Sequence, residues 1–373
     1  MSNQDLTELF NVRSHNPSFF SIKNKIEDRQ ELWDFCIPVN LHFPPPELLT
    51  MVHHNLSEIL RYYPDYAKVH QQHLEEITEL PAETIVPCNG STEIITRLCQ
   101  IAKTPIATSV PTFSRWTDLP EELATPLHLI RRRREKQFRL EVDEVVDQVR
   151  EVNAATLIIS NPNNPTGAWM TYDEISSLAE RLIDLDAVII DESFIDFSNV
   201  ESAATDVYRY PNLIVVKSLG KSLGWHGLRL GYAVAEPTRA RMLRDSLPFW
   251  NVNGLAAFVL KTVRHFKETY RASFSHVKDD REYMKTRLES LTDLTIYPSE
   301  ANFLYVELPR DVSGRKLRDR LLAHHGIMVR ECSNKIGSSE QYLRVAVQRK
   351  EAVDLLVPAL QEELSVVASA IRQ

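Results

Sequence analysis

Three polar residues could together hold and activate a cofactor, because each follows a short apolar segment of the chain. They are Asn164, Asp191 and Lys221. A lysine on a tight loop can be desolvated and positioned as a Schiff-base amine. A carboxylate can keep a ring nitrogen protonated, and an amide can donate a hydrogen bond to a phenolate oxygen. Each residue alone is also typical of a turn. The prediction of a site therefore depends on finding an asparagine, an aspartate and a lysine in this order along the chain, each after an apolar segment.

Phosphate-binding groups flank the lysine. Ser218 precedes Lys221 by three residues, and Arg229 follows it by eight. Hydroxyl, guanidinium and loop amide groups are donors that bind phosphate. With the acid and the amide they predict pyridoxal phosphate (PLP), whose ring withdraws electrons only while its nitrogen is protonated. Lys217 is the competing lysine, but it lacks the eight-residue spacing to Arg229.

Longer motifs around these residues resemble a known family. The segments are 191–197 (DESFIDF), 218–221 (SLGK) and 227–232 (GLRLGY). In them the chain resembles the class I and II aminotransferases, the fold-type-I PLP enzymes, and within these the branch of histidinol-phosphate aminotransferases and threonine-phosphate decarboxylases. The resemblance runs from about Trp33 to the C-terminus. It implies an α/β fold, with a large domain built on a mainly parallel seven-stranded sheet between helices and a small α+β C-terminal domain.

The order of the segments supports this fold. After Arg139, short apolar strands alternate with amphipathic helices, which is typical of a largely parallel sheet covered on both faces. No G-x-G-x-x-G follows any of these strands, so a nicotinamide-binding fold has no support. We predict an N-terminal arm over residues 1–45, a large PLP-binding domain over 46–250, a bridging helix over 251–288 and a small C-terminal domain over 289–373.

The resemblance assigns further residues to the cofactor. Gly90, Ser91 and Thr92 form a glycine turn at a helix start, where free amides and the helix dipole bind anions, and the family places the PLP phosphate there. Phe113 matches the aromatic residue that stacks on the PLP ring, although a core phenylalanine gives the same pattern. Tyr63, in a Tyr-Pro-Asp motif, matches the tyrosine that reaches the phosphate of the neighbouring subunit in a homodimer. A packed loop tyrosine is the alternative.

The resemblance also implies a substrate side. Arg344 matches the arginine that binds the substrate α-carboxylate, and Arg330 matches an arginine near a substrate phosphate. Phe194 stands where most aminotransferases carry a tyrosine, as it can in threonine-phosphate decarboxylases. Asn40 is a candidate substrate contact, but nearby Pro38 replaces another expected asparagine. We therefore expect an amino-acid substrate that lacks a phosphate, or whose phosphate is bound differently.

Composition and charge argue against several classes of protein. The 373 residues carry a net charge of -8, which disfavours a general nucleic-acid binder. The four arginines at 131–134 predict a solvated loop or helix start. No apolar run is long enough to span a membrane, and four cysteines outside any C-x-x-C pattern favour a cytoplasmic location. The histidine pairs are adjacent rather than four residues apart, so we predict no metal site.

Several activities are compatible with these residues. Transamination is the leading hypothesis, with Lys221 moving the Cα proton and Asp191 keeping the ring nitrogen protonated. Decarboxylation at Cα is second. Elimination at Cβ or Cγ with cyclisation of a hydroxylated amino acid, such as a hydroxyarginine, is third, since the fold does not choose among them. A catalytically silent PLP-fold binding module is the alternative of another class, but it should lack the lysine or the aspartate, and this chain has both.

Overall fold

The computed structural model describes residues 19–26 and 31–369, which form two β-sheets and thirteen α-helices. The strands are β1 (Trp33–Phe35), β2 (Ile85–Cys88), β3 (Ile106–Val110), β4 (Leu127–Arg131), β5 (Thr156–Ser160), β6 (Ala187–Asp191), β7 (Leu213–Ser218), β8 (Gly231–Ala235), β9 (Thr295–Tyr297), β10 (Phe303–Glu307), β11 (Ile327–Glu331) and β12 (Tyr342–Ala346). The helices are α1 (Phe19–Ile26), α2 (Pro46–Arg61), α3 (Ala67–Thr78), α4 (Ser91–Ile101), α5 (Arg115–Glu122), α6 (Val142–Glu151), α7 (Tyr172–Arg181), α8 (Leu219–Ser222), α9 (Pro237–Asp245), α10 (Gly254–Val263), α11 (Lys267–Glu289), α12 (Gly314–His325) and α13 (Lys350–Ser369).

The larger sheet has seven strands in the order β2-β8-β7-β6-β5-β3-β4. Every neighbouring pair from β7 to β4 is parallel, and β8 alone runs antiparallel to both of its neighbours. The predicted mainly parallel seven-stranded sheet is therefore confirmed. Because parallel strands end at the same edge, the residues that follow β3, β5, β6 and β7 meet on one side of the sheet, where open α/β folds bind ligands.

Both faces of this sheet are buried, which explains its continuous apolar strands. Along β5, Leu157 and Ile159 belong to one apolar cluster while Ile158 belongs to the cluster on the other face. Helices α6, α7 and α10 contribute to the first cluster, and α4, α5 and α9 to the second. Each fully buried aliphatic side chain contributes about 1.5–3 kcal/mol, so the strands must be covered on both faces to be stable.

The second sheet has five strands in the order β1-β11-β12-β10-β9, and α11, α12 and α13 pack on it. Strand β1 pairs in parallel with β11, so residues 33–35, which we assigned to the N-terminal arm, form an edge of this sheet. The predicted bridging helix is two helices, α10 and α11, separated by a short helical turn at Arg264–Phe266. The domain boundaries stay a prediction, and residues 1–18 and 27–30 of the proposed arm lie outside the described residues.

The arginine run 131–134 is not uniformly solvated, so that prediction is wrong for Arg132. Its side chain is only 5% exposed. It donates to Oγ of Ser109 at 3.2 Å and to the carbonyl oxygens of Phe138 at 2.9 Å and Ser160 at 3.3 Å. Burial lowers the pKa of Arg132 to about 9. The sequence pattern missed this because strand β4 ends at Arg131 and the next side chain turns inward.

None of the helices in the described ranges combines the length and the apolar character that crossing a bilayer requires.

Candidate active site

Lys221 lies in the short helix α8, directly after strand β7. Its Nζ donates to Oγ of Ser218 at 3.0 Å and lies 4.8 Å from the centre of the Phe194 ring. Burial, together with the charges of Arg229 and Arg344, lowers the pKa of Lys221 to about 8, and Asp191 opposes the shift. About a tenth of this amine is therefore neutral at pH 7, and the neutral form is the one that attacks an aldehyde.

Asp191 ends strand β6 with its carboxylate held in one orientation. Oδ2 accepts from Nε1 of Trp116 at 2.7 Å, and Oδ1 accepts from the backbone N–H and the hydroxyl of Ser193 at 3.0 and 2.6 Å. The sequence analysis missed both supporting residues. Ser193 could have been found, because a hydroxyl two residues after an aspartate often closes a local turn. Trp116 had no sequence signal that tied it to Asp191.

One cavity brings the predicted cofactor residues together. It is lined by Ser91, Phe113, Ser160, Pro162, Asn164, Asp191, Ser193, Phe194 and Lys221. Six of these nine were predicted as site residues from the sequence. The register explains the convergence, because Ser160 of β5 pairs with Asp191 of β6, and Asp191 pairs with Val216 near the end of β7. The amide, the acid and the lysine therefore share one edge of the sheet.

An anion cradle lies beside this cavity, at the start of helix α4. Gly90 has φ +74°, and a Cβ added to it would lie 2.6 Å from a guanidinium nitrogen of Arg229. Gly231 approaches from β8, where an added Cβ would lie 2.8 Å from the backbone nitrogen of Ser91. The first amides of a helix have no partner within it, so the amides of Ser91 and Thr92 and the Arg229 guanidinium can share one phosphate.

Lys217 has a different environment from Lys221. It lies within strand β7, and its Nζ forms a buried ion pair with Glu192 at 2.8 Å and donates to Oγ of Ser202 at 2.8 Å. It does not line the cavity. The geometry therefore gives Lys217 a structural contact and leaves Lys221 as the amine that faces the site.

Arg344 reaches the cavity edge from strand β12 of the second sheet. Its guanidinium donates to Oδ1 of Asn164 at 2.8 Å and to the carbonyl oxygen of Cys36 at 2.5 Å. Cζ lies 5.3 Å from the centre of the Phe303 ring. Burial lowers the pKa of Arg344 to about 10. A guanidinium in this position can form a charged, bidentate contact with a substrate carboxylate.

The other two candidate substrate contacts differ from each other. Arg330, on β11, is buried and donates to Oδ1 of Asn334 at 3.0 Å. Asn40 is 2% exposed, and its amide nitrogen donates to the carbonyl oxygen of Ser222 at 2.9 Å and to Oγ of Ser273 at 2.7 Å. The Asn40 side chain thus contacts the end of helix α8, which carries Lys221, and does not line the cavity.

Tyr63 lies on the surface, in the loop after helix α2. It is 81% exposed, and its ring stacks on Trp250 at 4.8 Å. Tyr66 and Phe249 also contact the Trp250 ring, at 5.7 and 6.2 Å between ring centres. Together they form an exposed aromatic patch, which is more apolar surface than single scattered residues usually present.

One cluster outside the cavity has metal-binding residue types. Ligand atoms of His324, His325 and Glu363 lie within 4.8 Å of one another. Glu363 also accepts a hydrogen bond from Arg320, and an arginine on the same carboxylate disfavours a cation there. The expectation of no metal site stays a prediction.

The residues of the cavity fit PLP. The cradle supplies donors for a phosphate, Asp191 supplies a buried carboxylate that no lysine or arginine of the described residues pairs with, and Lys221 supplies an amine of lowered pKa. A family model described as "Aminotransferase class I and II" matches residues 52–360. The chain belongs to this family. Its members depend on PLP, so this chain is a PLP-dependent enzyme, and the interpretation as an enzyme of this class is confirmed.

Individual relatives lie in the branch that the motifs indicated. The enzyme is 29% identical over 370 residues to an L-serine phosphate decarboxylase of Sulfurospirillum multivorans, which covers 95% of this chain and 94% of that protein. A decarboxylase structure from the same organism has a TM-score of 0.88 at 27% identity, over 97% and 96% of the two chains. A CMP-5'-(3-aminopropyl)phosphonate synthase of Streptomyces rubellomurinus is 29% identical over 90% of this chain, which spans 53% of that longer protein.

Proposed function

We propose that this enzyme removes the α-carboxylate of an amino acid as CO2, a decarboxylation at Cα that uses PLP. The observation that carries the proposal is an apolar wall of two aromatic rings, one beside Lys221 and the other beside Arg344. The Phe194 ring lies 4.8 Å from Nζ of Lys221, and the Phe303 ring lies 5.3 Å from Cζ of Arg344. The two rings meet edge to face, with 5.0 Å between their centres.

This wall favours the loss of CO2 from a carboxylate bound at Arg344. The reaction converts a charged carboxylate into a neutral molecule, so surroundings that exclude water from the carboxylate assist it. The wall would exclude water on the side that faces Lys221. The likeness to an L-serine phosphate decarboxylase along nearly the whole of both chains supports the same reaction.

The proposed roles follow from the positions of the side chains. When the Cα–carboxylate bond breaks, its electron pair stays on Cα, and bound PLP supplies the ring that withdraws this pair. Asp191 holds a proton on the ring nitrogen, while Trp116 and Ser193 fix the direction of its carboxylate. Lys221 then donates a proton to Cα. The amide nitrogen of Asn164 can donate to the phenolate oxygen, because its oxygen accepts from Arg344.

The cradle and the aromatic ring have binding roles in this proposal. The amides of Ser91 and Thr92 and the Arg229 guanidinium bind the PLP phosphate, assisted by Ser218. The amide of Gly90 donates to the carbonyl oxygen of Cys88 at 2.9 Å, so Gly90 contributes the close approach of the turn rather than a donor. Phe113, which lines the cavity, stacks on the PLP ring.

Transamination is the second candidate, and the lowered pKa of Lys221 favours it. Burial lowers the pKa of this amine to about 8, so it can accept the Cα proton as well as donate one. The pKa of a general base should lie near the working pH. The two candidates therefore differ in which bond to Cα breaks first, and they use the same lysine.

Product analysis separates the candidates. The PLP-loaded enzyme is incubated with single amino acids, including phosphorylated ones, with and without 2-oxoglutarate. We expect release of CO2 and of the matching amine in both conditions. Formation of a 2-oxo acid only when 2-oxoglutarate is present would instead establish transamination, and loss of water without either product would establish elimination.

We also propose that the enzyme is a homodimer, with Tyr63 near the cofactor phosphate of its partner. The exposed aromatic patch of Tyr63, Tyr66, Phe249 and Trp250 supports this proposal, because a monomer would leave these rings in water. A cytoplasmic location is proposed as well, since the four cysteines are buried and unpaired.

A further inference from the structure

Asn40, for which the sequence predicted a substrate contact, has both donor hydrogens of its side-chain amide engaged by the protein. The amide nitrogen donates to the carbonyl oxygen of Ser222 at 2.9 Å and to Oγ of Ser273 at 2.7 Å. The amide oxygen accepts from the backbone N–H of His42 at 3.0 Å. A side-chain amide has two donor hydrogens, so none remains for a substrate. The buried amide of Asn40 therefore acts on the protein itself.

The turn that carries Lys221 depends on contacts from elsewhere in the chain. Helix α8 has only four residues, Leu219–Ser222, and the last carbonyl oxygens of a helix have no partner within it. The backbone N–H of Asn40 donates to the carbonyl oxygen of Lys221 at 2.8 Å, which also accepts from Gly224 at 3.2 Å. The Asn40 side chain donates to the next carbonyl oxygen, that of Ser222. One residue thus holds two successive peptide units of the lysine turn.

Residues 40–43 pack directly on this turn. Gly224 follows the helix with φ +70°, and a Cβ added to it would lie 2.5 Å from the carbonyl oxygen of Asn40. Only glycine permits so close an approach of two backbones. On its other side the segment is joined to helix α11 by a hydrogen bond between Nε2 of His42 and Oδ2 of Asp280, at 2.7 Å. The segment is therefore fixed between α11 and the lysine turn.

We propose that Asn40 is a positioning residue, which fixes the direction of Lys221 through the carbonyl oxygens of the turn and keeps the amine out of water. The proposal rests on the proposed function, because it takes Lys221 as the lysine that bears PLP and moves a proton at Cα. Asn40 does not line the cavity, so its effect reaches the reaction only through Lys221.

A looser turn would change two properties of Lys221. The first is its direction, since a displacement of about 1 Å can lower a catalytic rate about a hundredfold. The second is its hydration. Burial is the largest cause of its lowered pKa of about 8, so an amine that moves toward water has a higher pKa. The charged groups that act on it, Asp191, Arg229 and Arg344, come from other segments, and the loss of the Asn40 amide leaves their charges unchanged.

The test compares Asn40→Ala with Asn212→Ala, a matched control at the other end of strand β7. Asn212 is 5% exposed, and its amide nitrogen donates to the carbonyl oxygen of Leu182 at 2.8 Å. It precedes the strand, whereas Lys221 follows it. Both substitutions remove a buried hydrogen bond from an asparagine to a carbonyl oxygen, so both should lower the unfolding temperature by a similar amount. Only Asn40→Ala should change the behaviour of the lysine.

The first readout is the rate at which PLP attaches to the apoenzyme, measured by stopped-flow absorbance from about pH 6 to about pH 10. At about pH 7 the rate for Asn40→Ala should be about three- to tenfold below that of the wild type, because a higher pKa of Lys221 leaves less of the amine neutral. Near pH 10 the two rates should converge, since most of the amine is then neutral in both proteins. Asn212→Ala should follow the wild-type profile throughout.

The second readout is turnover of the PLP-loaded enzyme, with the amino acid on which the wild type is most active. Asn40→Ala should lower kcat about ten- to a hundredfold and leave KM within about twofold, because Arg344 is unchanged. Ser273→Ala removes the anchor of the Asn40 amide and keeps both carbonyl contacts, so it should lower kcat only about two- to threefold. This milder variant tests the proposal even if Asn40→Ala does not fold.

Three results would contradict the role of Asn40. The first is that Asn40→Ala matches Asn212→Ala in both readouts. The second is a higher KM with kcat unchanged, which would make Asn40 a substrate contact. The third is an attachment rate lowered by the same factor at every pH, which would leave the pKa of Lys221 unaltered.

The products separate this proposal from the proposed function. Formation of a 2-oxo acid in place of CO2, with the expected effects of Asn40→Ala, would contradict decarboxylation and leave the role of Asn40 intact. Release of CO2 at the wild-type rate by Asn40→Ala would contradict the role of Asn40 and leave decarboxylation intact.

Discussion

The two sides of the cavity are built in different ways. On the cofactor side, Asn164, Asp191 and Lys221 follow neighbouring strands of one parallel sheet, so the pairing of those strands is enough to bring them together. On the substrate side, Arg344 comes from the second sheet, and it reaches Asn164 at the cavity edge only because that sheet packs on the first. The cofactor side is therefore built by one sheet, whereas the substrate side is built by the contact between two sheets.

The largest expected effect falls on the cofactor side. Lys221→Ala should abolish the visible absorption of lysine-bound PLP and reduce turnover by more than about a thousandfold, because no other amine lines the cavity. Absorption spectra and turnover of the purified variant measure this. Lys217→Met is the control. It should lower the free energy of unfolding by about 3–5 kcal/mol by leaving Glu192 unpaired, while the folded protein keeps its absorption band.

The substrate side should respond in the opposite pattern. Arg344→Lys keeps the charge but loses the planar fork, so KM should rise about ten- to a hundredfold while the PLP absorption band stays unchanged. Steady-state kinetics with a spectrum of each preparation measure both. A variant that lost PLP as well would show that the two sides are not separable and would weaken the comparison.

The sequence could predict the cofactor side of the site better than the substrate side. The polar residues at the strand ends were predictable, because they belong to segments whose apolar pattern defines the strands themselves. The contacts of the loop after β11 were not, since its Lys335 packs on the loop that follows β3 and donates to Thr112 and Ser114 there. A Cβ added to Gly337 there would lie 3.2 Å from the backbone nitrogen of Pro111. Arg132 was misassigned for a similar reason, because four consecutive arginines predict a solvated segment while the fold buries one of them.

The attachment of PLP to the apoenzyme should depend on pH in a way that an ordinary lysine would not. Attack requires the neutral amine, and burial lowers the pKa of Lys221 to about 8 from its ordinary value of 10.5. Below pH 8 the attachment rate should therefore fall about tenfold per pH unit, and above it the rate should level off. Stopped-flow absorbance across this range measures the profile. A profile that still rises steeply toward pH 10 would mean that Lys221 is not desolvated.

A smaller effect is expected at the aromatic patch. Tyr63→Phe keeps the ring on Trp250 and removes only the hydroxyl, so the dissociation constant of PLP should rise about two- to tenfold if that hydroxyl donates to the partner's phosphate. Equilibrium titration of the apoenzyme measures it, with sedimentation to establish that both proteins are dimers. Tyr66→Phe, in the same patch, should leave the PLP affinity unchanged. Equal effects of the two substitutions would assign the patch to packing alone.

The identity of the lysine that carries the cofactor tests the account most directly. The PLP-loaded enzyme is reduced with borohydride, digested and analysed by mass spectrometry to find the modified residue. The account predicts the pyridoxyl group on Lys221. Its presence on Lys217, Lys335 or any other lysine would contradict the assignment of the cavity, and with it the roles given to Asp191 and Arg344.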